Sequence, residues 1–323
     1  MNTVLLTGVA GFIANRTCEI LLEQGFEVIG IDNLNDYYDV KLKEFRLDQL
    51  KKYPNFKFIK ADIEDKSALQ EIFKTHSFTT IYNLAARAGV RYSMQNPDIY
   101  VSTNIQGSLN LLEMAREYKV KKYILASTSS LYAGKEMPFI ETLDVSEPIS
   151  PYASTKKSAE TMAYTYHHLY GIDVSIVRYF TVYGPMSRPD MAQLRFMKWI
   201  DGGEVIQLYG DGEQARDFTY VDDIAEGTIL ASKPLGFEII NLGGGQNPIS
   251  INTMIAEYES LLGKKATIKN LPFNKADMLV TWANVDKAEK LLGWKPKVSF
   301  EDGIKNCVKH FKENKDLYNN IKL

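Results

Sequence analysis

The short apolar run NTVLL (2–6) passes directly into TGVAGFIA (7–14), a turn with two glycines, and then into the helical pattern ANRTCEILLEQG, which ends in Gly25. A strand entering a helix through so tight a turn favours a parallel neighbour strand, because parallel strands need a crossover and a helix is the usual one. The chain keeps that rhythm. EVIGID (27–32), FKFIKAD (56–62), TTIYNLAA (79–86), KYILAS (122–127) and DVSIVRYF (173–180) read as further strands, with helices near 104–118 and 152–170. The strand runs are short and apolar without clean alternation, as a sheet covered on both faces requires. The expected fold is α/β, a doubly wound parallel sheet.

After about residue 180 the rhythm loosens. Prolines 185, 189, 234, 248 and 272 and the GGG at 243–245 punctuate shorter elements. The sequence is expected to divide into a sheet domain over 1–180, whose ligand its motifs specify, and a smaller α/β lobe mainly over 181–323. Segments near 215–242, FEIINL (237–242) among them, are expected to return to the first domain's sheet.

Charge narrows the partners. Lys plus Arg is 38 and Asp plus Glu 40, a formal net charge of -2, which offers no broad field for a nucleic acid or an anionic membrane. An anionic ligand must therefore meet a local cluster. Cys18 and Cys307 match no metal-ligand spacing, so no metal site is expected, and Cys18 falls in the apolar pattern of a helix as a buried free thiol. The opening VLLTG has no charged leader, and no run is long enough to span a bilayer. A cytoplasmic protein is expected.

Two groups of residues carry chemistry. Gly8 and Gly11 sit between the first strand and first helix, where a pyrophosphate can approach the backbone and face a helix N-terminus. The spacing is G-x-x-G-x-x-A, with Ala14 as the last small residue. Asp32 ends the second strand about 20 residues on, where a carboxylate takes the adenosine ribose hydroxyls and repels a 2′-phosphate, which favours NAD over NADP. Asp62, ending the third strand, is placed to take the adenine amino group. Further on, PYASTKK (151–157) puts Tyr152 and Lys156 one helical turn apart on one face. A tyrosine with a pKa of roughly 10 becomes a base only beside cations, which an ammonium and an oxidised nicotinamide would supply. ASTSSLY (126–132) closes the fifth strand with hydroxyls, of which Thr128 can hold a substrate oxygen.

These motifs resemble the extended short-chain dehydrogenase/reductases, and within them the nucleotide-sugar epimerases. The similarity runs nearly end to end through TGVAGFIA, NLAA (83–86), ASTSSLY, YASTK, RYFTVYGP, RDFTYVDD (216–223) and NLGGG. GIDNLNDYYDVKLKEFRL (30–47), AGVRYS (88–93) and TVYGPMSRPDMA (181–192) resemble the UDP-glucuronate 4-epimerases in particular. The resemblance implies a Rossmann-type fold, bound NAD and a UDP-sugar substrate. It implies a homodimer built on the helices near 104–118 and 152–170. Tyr152 would be the catalytic acid and base, Lys156 would bind the nicotinamide ribose, and Thr128, helped by Ser129, would hold the oxygen at C4. Phe12, Ile13, Asn33, Ile63, Leu84, Ala85 and Ala86 would join Gly8, Gly11, Asp32 and Asp62 around the cofactor. Arg91, Ser93, Thr181, Arg188 and Arg216 would face the substrate, with Arg216 on the UDP phosphates.

The loop arginine has a chemical reason under this resemblance. Oxidation at C4 of a UDP-glucuronate makes a β-keto acid, which loses carbon dioxide when the breaking bond aligns with the carbonyl π system. Arg188 and Thr181 match the positions that hold the carboxylate out of that alignment; a bidentate arginine gives the needed control. The competing structural role is an ion pair between Arg188 and Asp190, as it is between Arg216 and Asp217 or Asp222. Leu131-Tyr132-Ala133 departs from the family's usual V-Y-G, and Arg87 adds a charge where an amide is common. FNKADM (273–278) lacks an arginine that some relatives carry. A decarboxylase, a UDP-glucose or UDP-N-acetylglucosamine 4-epimerase and a sugar dehydratase share the oxidation step, and a non-enzymatic NAD sensor shares the fold. The dehydratases carry acidic residues after the Thr128 position, where Ser129 and Ser130 stand here.

Overall fold

The computed structural model describes residues 2–246, 248–273 and 278–323. Six strands follow one another along the first half of the chain: β1 (Thr3–Thr7), β2 (Glu27–Asp32), β3 (Phe56–Lys60), β4 (Thr80–Asn83), β5 (Lys122–Thr128) and β6 (Asp173–Tyr179). Helices α1 (Phe12–Glu23), α2 (Val40–Leu50) and α3 (Lys66–Thr75) connect the first four. The sheet order is β3-β2-β1-β4-β5-β6, closed at its far edge by Phe237–Leu242, and every pairing is parallel. This is the expected doubly wound sheet, and FEIINL does return to it.

Alternate residues of β1 explain the layers. Val4 and Leu6 enter one apolar core with α1 and the helix Val221–Leu230, while Leu5 enters the other with α3 and the long helix Pro151–Tyr170. A third core joins Leu42 of α2 to residues of the C-terminal half, among them Leu194, Met254, Ile304 and Phe311. Short strand pairs serve that half: Thr181–Tyr183 beside Phe218–Tyr220, Ala215–Arg216 beside Ile249–Ser250, and Val205–Tyr209 beside Thr267–Leu271. No helix among the described residues is long and apolar enough to cross a membrane.

The differences from the sequence reading have local causes. β4 stops at Asn83, so Leu84, Ala85 and Ala86 leave the sheet where β1 has β2 on one side and β4 on the other. That change of winding direction opens a crevice at the carboxyl ends of the strands. α1 starts at Phe12, two residues earlier than expected. The helix near 104–118 is two pieces: a wider-wound π-helical segment, Val101–Gly107, feeds the α-helix Ser108–Glu117. The segment 40–50, to which the sequence reading assigns no element, is α2, capped by the Asp39 side chain on the Lys41 N–H. Both cysteines are buried free thiols, as expected for Cys18.

Candidate active site

A cavity of ≈ 1680 Å³ opens over the carboxyl ends of the strands. Pockets for one drug-sized ligand run to about 1,000 Å³, so this one exceeds the space such a ligand needs. Its floor is the glycine turn. Gly8 has φ +72°, and a Cβ there would stand 2.9 Å from the Ala85 Cα, so only glycine fits both the dihedral and the space. Gly11 closes the turn by donating to the Gly8 carbonyl at 2.7 Å, and Ala14 packs beneath it in the core. A pyrophosphate-sized anion can reach the backbone here, at the start of α1.

Asp32 stands at the end of β2. Its carboxylate accepts from Ala10 N at 3.1 Å and Leu34 N at 2.8 Å, which fixes it at the rim of the turn. Asp62 accepts from Asn33 Nδ2 at 2.7 Å and from Glu64 N at 2.9 Å. With Ile63 and Asn33 it lines the same end of the cavity. This donor set fits the adenosine half of a dinucleotide. No sequence motif marks Lys43, which lines the cavity from α2. Its ammonium donates to the Asn35 carbonyl at 2.6 Å, and burial pushes its pKa down to about 8 against the pull of Asp32. Only the fold of α2 brings it there.

On the other side, the helix Pro151–Tyr170 begins at a proline and is capped by Ser150 Oγ, which accepts from Ala153 N. Its first turns carry Tyr152 and Lys156 to the cavity wall, facing Thr128 and Ser129 at the end of β5. Burial raises the Tyr152 pKa above 10, while a hydrogen bond to Thr128 and the charge of Arg188 pull it back. Lys156 is 3% exposed, and burial lowers its pKa to about 8, opposed by Glu160. Glu160 lies one turn further along. It accepts from Ser127 Oγ at 2.6 Å and from Arg178 Nε and Nη2 at 2.9 and 2.7 Å. No motif in the sequence flagged this buried pair behind the tyrosine and lysine.

Arg188 and Thr181 both line the cavity. The competing structural role also proves real: Arg188 Nε and Nη2 meet the Asp190 carboxylate at 3.0 and 2.5 Å. Burial draws the Arg188 pKa down, but Asp190 holds it above the ordinary range. Arg216 lines the cavity as well and donates to the Ala215 carbonyl at 2.9 Å. The carboxylates weighed as its partners are otherwise engaged, Asp222 by Arg16 and Asp217 by the N–H groups of Gly245 and Ala283. Arg91 stacks on Tyr209 in the cavity wall, its Cζ 4.1 Å from the ring centroid. Ser93 does not reach the cavity; it is fully buried, and its hydroxyl donates to the Val90 carbonyl at 2.6 Å. Arg87 does turn inward, donating to Asn35 Oδ1 at 3.2 Å, and Asn104 of the π-helical segment grips both its backbone groups. Of FNKADM, residues 274–277 lie outside the described residues.

A dinucleotide turn beside a tyrosine–lysine helix on a parallel sheet defines the class. The chain belongs to the extended short-chain dehydrogenase/reductase family, and it matches the GDP-mannose 4,6 dehydratase family over residues 5–307. Among its relatives, a UDP-glucuronate 4-epimerase of Thermodesulfobacterium geofontis is 58% identical over 323 residues, all of both chains. The crystal structure of the Bacillus cereus UDP-glucuronic acid 4-epimerase with UDP-glucuronic acid and NAD is 37% identical, with TM-score 0.89 over 96% of this chain and 99% of that one. A Thermotoga maritima UDP-glucose 4-epimerase bound to UDP-glucose is similar at 33% identity and TM-score 0.87, over 97% and 99%.

Proposed function

We propose that the chain is an NAD-dependent 4-epimerase that interconverts UDP-glucuronate and UDP-galacturonate through a 4-keto sugar. The observation that carries the choice of sugar is Arg188, a paired guanidinium on the wall of the Tyr152 cavity whose charge reaches the Tyr152 phenol. A neutral sugar has no use for such a group. The similarity to the Thermodesulfobacterium and Bacillus enzymes supports the same reading.

Gly8, Gly11, Phe12, Ile13, Asp32, Asn33, Asp62, Ile63 and Leu84–Ala86 would hold the dinucleotide, joined by Lys43. Bound NAD supplies the acceptor and then the donor of the C4 hydride. Tyr152 Oη takes the proton of the C4 hydroxyl while Thr128 steadies that oxygen. Lys156 and Arg188, both cationic at neutral pH, favour the phenolate that burial opposes. The keto sugar then turns about its link to the diphosphate, and Tyr152 returns the proton once hydride has entered from the other face. Arg188 and Thr181 keep the carboxylate out of line with the C4 carbonyl throughout. Arg216 and Arg91, with residues of 181–323, would hold the UDP. The exposed Val101, Tyr164, Leu169 and Tyr170 support a homodimer through the helices 101–117 and 151–170. Two free thiols support a reducing, cytoplasmic setting.

The test is NMR of UDP-glucuronate with the purified protein and NAD, beside Tyr152→Phe. UDP-galacturonate rising to a plateau with wild type, and none with the variant, is expected. Turnover of UDP-glucose alone would overturn the choice of sugar; a UDP-pentose as main product would make the chain a decarboxylase.

A further inference from the structure

Arg188 is held from three directions. Pro189 and a hydrogen bond from Met191 N to the Arg188 carbonyl at 3.1 Å fold residues 188–191 into a turn, so Arg188 and Asp190 flank a rigid residue. The Tyr37 ring lies against the guanidinium, its centroid 5.6 Å from Cζ. Asp190 takes Nε and Nη2, the side edge of the fork, and among the described residues it alone accepts a hydrogen bond from Arg188.

A guanidinium has two edges that can meet a carboxylate with paired, parallel bonds: the side edge, Nε with Nη2, and the end edge, Nη1 with Nη2. Asp190 fills the first and leaves the second. An arginine side chain otherwise swivels about its last bonds. One held along its side edge cannot, and its end edge then fixes the plane of whatever carboxylate meets it.

We propose that Asp190 is a positioning residue for the epimerisation: it locks the Arg188 guanidinium so that the end edge holds the substrate carboxylate in one plane. The role rests on the glucuronate reading above and sharpens it, because control of that plane is what separates epimerisation from decarboxylation. In the 4-keto sugar the C5–C6 electron pair can flow into the C4 carbonyl when the C5–C6 bond stands parallel to the π orbitals. Carbon dioxide leaves, the C4 enolate takes a proton at C5 from solvent, and a UDP-4-keto-pentose results. A swivelling Arg188 lets the carboxylate visit that alignment; a locked one does not. Asp190 also offsets the Arg188 charge, so recognition depends on matched edges and less on bare attraction for any anion.

The experiment uses full-length protein with NAD and UDP-glucuronate labelled with carbon-13 at the carboxyl. UDP-galacturonate, UDP-pentose products and labelled carbon dioxide are followed together for wild type, Asp190→Asn and Asp190→Glu. For Asp190→Asn, kcat for UDP-galacturonate falls about tenfold, KM moves less than threefold, and the share of turnover ending in carbon dioxide rises at least tenfold. Asp190→Glu keeps the charge but displaces the fork, and shifts the product share in the same direction even if Asp190→Asn does not fold. Lower activity in the variants with the share unmoved would overturn the proposal, because that is what a purely structural role gives.

Wild-type kcat and product share in both variants would overturn the proposal while leaving the glucuronate reading intact. A lower KM with kcat kept would overturn it too, by showing that Asp190 competes with the substrate for the fork. Wild type that leaves UDP-glucuronate untouched would sink the glucuronate reading itself, and Asp190's role with it.

Discussion

Lys156 is charged chemistry placed where a charge is costly, and that cost can be measured. The side chain is almost fully buried, forms no ion pair among the described residues, and has its pKa lowered from 10.5 to about 8 by burial, with Glu160 pulling the other way. At about 1.4 kcal/mol for each tenfold in proton affinity, keeping the ammonium at neutral pH costs the fold about 3 kcal/mol. Replacing it by the uncharged, similarly long Met in Lys156→Met removes that cost and packs a flexible apolar chain into the same space. The nucleotide-free variant should therefore melt higher than wild type at pH 7, by roughly 5 °C for a chain of this size, while losing turnover. The pH dependence gives the sharper signature. Between pH 8 and 10.5 the unfolded chain still holds a proton that the folded chain has released, so wild type gains stability relative to the variant as pH rises through that window. The gap is full below pH 8 and closes by about pH 10.5. Calorimetry of both nucleotide-free proteins at pH 7 and pH 10 decides it. A variant that melts no higher than wild type at pH 7, or a gap that does not shrink with pH, would show that Lys156 is solvated or paired in solution and refute the reasoning.

Two further outcomes follow from buried geometry. Glu160→Gln leaves Arg178, 1% exposed in its side chain, without its counter-charge, and should lower the unfolding free energy in urea by about 3–5 kcal/mol. The double variant Glu160→Gln/Arg178→Met should recover most of the loss, and failure to do so would mean the damage is packing rather than an orphaned charge. Gly8→Ala forces a φ of +72° on a residue with a Cβ 2.9 Å from Ala85, a conformational cost of about 1–2 kcal/mol before any clash. NAD affinity by calorimetric titration should fall at least tenfold; unchanged affinity would show that the turn does not carry the dinucleotide.

Much of the site was legible because it is written in short spacings. Tyr152 and Lys156 are four residues apart on one helix, and that separation fixes a shared face wherever the helix lies. Gly8 and Gly11 stand at a strand-to-helix turn whose dihedrals belong to a few residues. Asp32 ends a strand whose apolar run announces its own length. The parallel sheet was legible for the same reason, since each strand and crossover carries its own period. Ser93 was misplaced because AGVRYS gives order along the chain but not which way a side chain turns on a helix only six residues long, Val90–Gln95. The π-helical segment at 101–107 was missed because a wider winding leaves no distinct apolar period.

The amino-acid sequence by itself determined most of the strands and helices, the parallel α/β class and the glycine, tyrosine and lysine groups that the cavity gathers. Tertiary structure alone decided who stands behind them. Lys43 reaches the cavity that Asp32 and Asp62 line because α2 packs against the C-terminal core, and Arg178 of β6 finds Glu160 on a helix 18 residues earlier. Tyr37, from the loop after β2, meets Arg188 across 151 residues of chain, as the distance of 5.6 Å between ring and guanidinium records. Even the Arg188–Asp190 pair, local in sequence, took its meaning from the cavity it faces. Local propensity acts over one turn of helix or one strand, whereas the partner of a buried charge is chosen by packing, which must satisfy every such group with whatever the fold brings within reach.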